Sequence, residues 1–193
     1  MWEDWKTAGS YANEEESQQA FNVIVSRLRD YFRIYREVDL WYYSGQPFQS
    51  NDKGRIDFVL TPTQKAIAEG WTAGIIGVEC KKSGHKSAPA ICQMLDYTRS
   101  ILRLPGNINA CMEAVYLWPD FVASSHPFMK SFMANNRIGV VHYASKKWYD
   151  DQPCQRLAFF SGLNQGIFYL HPDDRVTLST VNPRIAGSKS GSR

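Results

Sequence analysis

Two short stretches of this chain put acids and a lysine where strand geometry can bring them together. The first is Gly54-Arg55-Ile56-Asp57-Phe58-Val59-Leu60, the second Gly74-Ile75-Ile76-Gly77-Val78-Glu79-Cys80-Lys81. Both are rich enough in branched and aromatic residues to read as strands. Side chains alternate across a strand, so Glu79 and Lys81 project together while Val78 and Cys80 face the other way. In the first stretch Ile56, Phe58 and Leu60 are expected to share one face, leaving Asp57 on the other. If the strands pair, Asp57, Glu79 and Lys81 converge at one end of a sheet. Two carboxylates and an ammonium at such a point suit a hard divalent cation. Mg²⁺, with Mn²⁺ as substitute, takes oxygen ligands, here from Asp57, Glu79 and the backbone carbonyl of Cys80. Such an ion polarises a phosphate ester and lowers the pKa of a bound water. Lys81 would orient that water, help deprotonate it, or offset charge building on the phosphorus centre.

The surrounding sequence supplies elements to hold these strands. Asn13-Glu14-Glu15-Glu16 reads as a helix start, with Asn13 as N-cap and Glu16 closing a capping box. Apolar residues then recur at helical spacing through Phe21, Ile24, Val25, Leu28 and Phe32. Residues 31–43 favour a strand, 44–53 a turn, and 61–70 a connection with a short helical piece. Pro89 suits the first turn of a helix running to about Leu104, where Pro105-Gly106 stops it. Residues 114–118 and 137–143 read as further strands, 128–136 as a helix, and 157–160 with 166–170 as a terminal hairpin. The expected fold is an α/β layer with a mixed central sheet, one domain over residues 1–186 followed by a flexible tail, 187–193.

At this point the sequence resembles a known superfamily. Gly54-Arg55-Ile56-Asp57 followed by Gly77-Val78-Glu79-Cys80-Lys81-Lys82 is similar to the paired motifs of the PD-(D/E)xK nucleases, although Ile56 stands where the motif has proline. Gln93-Met94-Leu95-Asp96-Tyr97, on the helix after the Glu-x-Lys strand, resembles the QxxxY motif of the RecB-like and lambda-exonuclease-like branch. The resemblance spans roughly residues 14–104. It implies a restriction-endonuclease-like core, Asp57, Glu79 and Lys81 as catalytic residues, and Mg²⁺-dependent hydrolysis of DNA by exo- or endonucleolytic cleavage. Gln93 and Tyr97 would support DNA binding from one helical face. A first-helix glutamate would also reach toward the site: Glu16 is the candidate, with Glu14 and Glu15 beside it. Lys82 and Lys86, in the loop after the strand, are candidates for phosphate contacts. The iron–sulfur cluster of some relatives is not expected, because Cys80 lies within the strand and only Cys154 is late.

Each signal has a plainer reading. Glu-x-Lys triplets often mark a solvated strand face, and Gln93 with Tyr97 could be a surface amide and a half-buried aromatic. It is the combination, in order and at workable spacing, that favours the nuclease. The main alternative is a catalytically silent module of the same fold that binds nucleic acid or inhibits a partner nuclease. A net charge of +3 permits a polyanionic partner without requiring one. The four cysteines form no CxxC pair and read as buried free thiols. His126, His142 and His171 lack ligand spacing. No phosphate-binding Gly loop, no Gly-x-Ser-x-Gly elbow and no apolar run of about 20 residues occurs, so ATP use, serine-hydrolase chemistry and a membrane span are not expected. The polar N-terminus reads as intracellular rather than secreted. DNA is the expected partner, and homo-oligomerisation is left open.

Overall fold

The computed structural model describes residues 11–42, 53–85, 87–119, 127–161 and 165–181. Most of the turn expected at 44–53, Lys86, His126 and the tail 187–193 lie outside these residues.

Helix α1 (Glu14–Val25) starts where the capping signal puts it. Asn13 is extended and its side chain accepts from Glu16 N at 2.8 Å, while Glu16 Oε2 reaches back to Ala12 N at 2.8 Å. The apolar period continues through a 3₁₀ turn (Ser26–Leu28) but stops before Phe32, which opens β1 (Phe32–Tyr42). Then come β2 (Lys53–Pro62), α2 (Gln64–Ala68) and β3 (Ile76–Cys80). Helix α3 (Ser87–Thr98) precedes β4 (Ser100–Leu104), β5 (Ile108–Cys111) and β6 (Ala114–Trp118). Helix α4 (Pro127–Asn135) is followed by β7 (Ile138–Tyr149), β8 (Gln152–Phe160), β9 (Gln165–Leu170) and β10 (Val176–Val181).

The strands make one mixed ten-stranded sheet in the order β10-β9-β8-β7-β6-β3-β2-β1-β4-β5. Among the described residues only β3–β6 and β6–β7 are parallel. The expected α/β class with a mixed sheet is therefore present, with more strand and less helix than the sequence suggested. The helix expected to reach Leu104 ends at Thr98. There Thr98 Oγ1 donates to Leu95 O and Ser100 Oγ to Asp96 O, taking up carbonyls of the last turn. Ser100-Ile-Leu-Arg-Leu104 then alternates buried and more exposed residues, and Leu102 pairs with Leu40 of β1. Pro105-Gly106-Asn107 is a hairpin turn rather than a helix stop. Gly106 and Asn107 have φ of 86° and 59°, the left-handed region that glycine and asparagine tolerate best.

Each sheet face carries its own core. Phe21, Ile24 and Val25 of α1 pack with Phe58, Leu60, Ile76, Val78, Tyr116 and Trp118. On the other face Ala90, Ile91, Met94 and Tyr97 of α3 pack with Val38, Leu40, Ile56, Val115 and Leu117. The sheet curls around its first core, because β9 and β1 stand far apart in strand order yet the Phe32 and Phe168 rings lie 5.6 Å apart. Packing at the central parallel pair is close. A Cβ at Gly139 would sit 2.5 Å from both Phe160 O and the Tyr116 ring, and the backbone oxygen cannot yield. Gly139→Ala is expected to cost about 3 kcal/mol, read as a lower urea midpoint at unchanged slope.

One expectation about faces is corrected. Phe58 and Leu60 pack on the α1 side, but Ile56 packs on the α3 side, where a Cβ at Gly77 would strike its Cδ1. The same change of side occurs in β1, from Ile34 to Val38. Between them the ladder pairs Arg36 with Phe58 and Val38 with Ile56 but passes over Glu37 and Asp57. Glu37 adopts φ 49°. Simple alternation fails at Asp57 because a local twist in both strands switches faces there.

Candidate active site

That twist determines what Asp57 can reach. β2 and β3 pair only from Leu60↔Ile76 to Phe58↔Val78. Beyond that pair the Asp57 side chain takes the role of a backbone acceptor, with Oδ2 accepting from Cys80 N at 2.7 Å. Its other oxygen, Oδ1, accepts from Gln18 Nε2 of α1, also at 2.7 Å. On β3, Glu79 Oε1 accepts from Lys81 Nζ at 2.8 Å, and Glu14 Oε1 of α1 lies 3.4 Å from the same ammonium. Lys81 is fixed at its backbone by donation from its N–H to Trp118 O at 2.8 Å. Glu79 and Lys81 are only 4% and 5% exposed, so their charges interact with little solvent between them.

Helix α1 is held over this point by its apolar stripe. The Phe21 ring lies 4.9 Å from Phe58 and 5.3 Å from Trp118, whose indole N–H donates to Ser17 O. Glu14, Gln18 and Phe21 follow the i, i+4, i+7 spacing of one helical face, so packing Phe21 against the sheet aims the other two at the strands.

Two carboxylates, Glu79 and Glu14, lie within ion-pair distance of the Lys81 ammonium, and the charge of a third, Asp57, also acts on it. Burial, and next the Asp57 charge, push the Glu79 carboxyl from 4.5 up to about 7, against the lowering pull of Lys81. Burial likewise raises Asp57 above its ordinary value, opposed by the Cys80 N–H and Lys81. Burial works against the Lys81 charge, yet Glu79, Glu14 and Asp57 outweigh it and hold the ammonium above its usual range. An acid and its basic partner both shifted upward is what an excess of acid produces. Glu79 Oε2 is buried without a hydrogen-bond partner. A buried, unmatched carboxylate oxygen among an excess of acids has the chemistry that suits a cation.

The sequence-derived residues fall as follows. Asp57, Glu79 and Lys81 are brought together. Of the three first-helix glutamates, Glu14 is the one beside Lys81; Glu16, the candidate, spends Oε2 on the helix cap. Cys80 presents its N–H to Asp57, and burial pushes its thiol well above the usual range, so sulfur chemistry is not its part. Gln93 Nε2 donates to Tyr97 Oη, and Tyr97 Oη donates to Arg55 O at 3.0 Å, two residues before Asp57. The pair thus ties α3 to the start of the twisted segment rather than pointing at the acids. Tyr97→Phe is expected to cost about 1–2 kcal/mol by removing the hydroxyl that both bonds share, measured by urea unfolding. Lys82 is exposed in the loop after β3. The four cysteines are free, but only Cys80 and Cys154 are buried; Cys92 and Cys111 are exposed.

Gln18 is not singled out by the sequence: it stands four residues after Glu14, on the same helical face, but glutamine on a helix is common and carries no charge that marks it.

A divalent metal fits this donor set in kind. Among the described residues no three or more His, Cys, Asp or Glu side chains gather closely enough to encage an ion. Asp57, Glu79 and the Cys80 carbonyl would leave further positions to water and to a phosphate oxygen, as suits Mg²⁺. No helix among the described residues is long and apolar enough to cross a membrane. Comparison of the chain with protein-family models, curated proteins and solved structures gave no match.

Proposed function

We propose that this protein is a divalent-metal-dependent nuclease that hydrolyses DNA phosphodiester bonds, on a restriction-endonuclease-like core at the centre of a larger sheet. The observation that carries this reading is the partnerless buried Glu79 oxygen beside Asp57 and Lys81, at the end where β2 and β3 part. Asp57 and Glu79 would hold Mg²⁺ or Mn²⁺ with the Cys80 carbonyl. When bound, such an ion polarises the phosphate and makes water a competent nucleophile near neutral pH. Glu14 and Glu79 hold the Lys81 ammonium at the site. There it orients the attacking water by hydrogen bonding and offsets negative charge gathering on the phosphate. Lys82 stands at the rim for backbone phosphates.

DNA as substrate rests on the resemblance of the Asp57, Glu-x-Lys and Gln93–Tyr97 motifs, with a basic net charge in keeping. The test uses linear and closed circular DNA with Mg²⁺, Mn²⁺ or EDTA. The expected result is cleavage with either ion and none in EDTA, the circular form reporting endonucleolytic action. No cleavage of either form with either ion would overturn the proposal.

A second reading, a silent module that binds nucleic acid, is favoured by one feature. The Lys81 ammonium pairs with two carboxylates of the protein itself, Glu79 and Glu14. Tight DNA binding indifferent to metal and to Glu79→Gln would select it.

A further inference from the structure

We infer that Gln18 is a positioning residue for the metal-binding carboxylate Asp57, an inference that rests on the nuclease reading above. Both Asp57 oxygens are engaged by donors from different elements, Cys80 N–H of β3 on Oδ2 and the Gln18 amide of α1 on Oδ1, each at 2.7 Å. A carboxylate only accepts, so the Gln18 amide nitrogen must be the atom that faces it. Two donors on two oxygens fix both the direction of the group and the rotation of its plane. Each oxygen keeps further acceptor capacity, and those lone pairs are the ones a cation would use.

The need for such a clamp follows from the strand. At Asp57 the β1–β2 ladder is interrupted and neighbouring side chains change face, so regular pleating does not aim the side chain. The Cys80 N–H alone would leave the carboxylate free to swing about that bond. Gln18 is itself well placed to hold it. It is half-buried on α1, one turn after Glu14 and one turn before Phe21, whose ring is wedged between Phe58 and Trp118. The capped start of α1 and the aromatic wedge bracket Gln18, so the helix transmits its position to β2. Glu14 does the same for Lys81, directly after β3, at 3.4 Å. One helical face thereby spans both strands that carry the acids. Hydrogen bonds of this kind orient metal ligands, and their loss costs roughly 10- to 100-fold in metal affinity or activity.

The test compares wild type, Gln18→Met and Gln18→Ala. Met and Gln have similar helix propensity, so the first change leaves α1 intact; Ala serves if the thioether packs badly. Mn²⁺ binding is read by titration followed by electron paramagnetic resonance, independently of turnover, and kcat and KM are measured on linear DNA. The expected result is Mn²⁺ affinity and kcat each reduced roughly 10- to 100-fold with KM for DNA unchanged. Melting temperature in EDTA should stay within a few degrees of wild type. Wild-type affinity and kcat in both variants would overturn the inference alone, as would losses that merely track a fall in melting temperature. A wild-type protein that neither binds Mn²⁺ nor cleaves DNA would overturn the nuclease reading and this inference with it.

Discussion

Asp57→Ala is expected to reduce metal-dependent DNA cleavage by on the order of 10³-fold or more. Asp57 is one of two carboxylates available to the ion, and removing a ligand forfeits several kcal/mol of charge stabilisation, each 1.4 kcal/mol being about tenfold. The alanine variant also leaves the Cys80 N–H and the Gln18 amide without their acceptor, which costs stability. Asp57→Asn is the cleaner comparison, since its amide oxygen can still accept from Cys80 while the negative charge is gone. Both variants should be inactive, and the asparagine variant should melt near wild type in EDTA. Lys81→Met should lose activity comparably while retaining Mn²⁺ binding, because the lysine is not a ligand. Wild-type rates for Asp57→Asn under saturating Mn²⁺ would remove Asp57 from the mechanism.

The second large effect concerns stability and has the opposite sign from ordinary damage. In metal-free buffer at pH 8, Glu79→Gln is expected to be more stable than wild type by about 2 kcal/mol, or roughly 4–8 °C in melting temperature. The Glu79 carboxyl stands at about 7 in the folded protein against 4.5 ordinarily, through burial first and the Asp57 charge second. A group raised in this way supports the folded state fully below about pH 4.5, and the support fades as the pH rises through 7. Ionised Glu79 is thus a burden on the empty protein at pH 8, and a neutral amide removes it. The advantage should shrink toward pH 5, where Glu79 of the folded wild type is protonated, and vanish below about pH 4.5. With Mn²⁺ present the order should invert, because only wild type gains binding energy from the ion. Melting curves at pH 5 and pH 8, in EDTA and in Mn²⁺, provide all four values. A Glu79→Gln variant less stable than wild type at pH 8 in EDTA would contradict the electrostatic account.

Much of the site was legible because strand periodicity is short-ranged. Glu79 and Lys81 lie two residues apart, Glu79 on a five-residue strand and Lys81 directly after its last residue, and no tertiary event is needed to put them side by side. The start of α1 was equally readable, since its cap is made by residues within one turn. Asp57 reached the right place by a route alternation does not describe. The interruption at Glu37 and Asp57 involves two strands about twenty residues apart, and nothing in Gly54-Arg-Ile-Asp announces it. The choice of Glu14 over Glu16 was open for a related reason. Adjacent helical residues differ by about 100° in direction, and only the packing of Phe21 tells which faces the sheet. The sequence extends the helix through β4 because Ile101, Leu102 and Leu104 suit either period over so short a run, and a Pro-Gly pair ends helices as readily as it turns hairpins. β10 is not legible in the sequence because Val176-Thr-Leu-Ser-Thr-Val181 carries a short, half-polar pattern that becomes a strand by pairing with β9.

The strand order has a kinetic corollary. β1, β2 and β3 follow one another as antiparallel neighbours, as do β7 to β10, so each group assembles by closing short loops. The two parallel seams that join them, β3 to β6 and β6 to β7, require α3, the β4–β5 hairpin and α4 to be looped out first. Long-range parallel registration is the slow event in such a chain. All three residues proposed to act on the phosphate lie in or directly after the first meander, which can organise before the seams close. In refolding, the backbone frame around Asp57 and Glu79 should acquire protection from hydrogen exchange before the amides of β6.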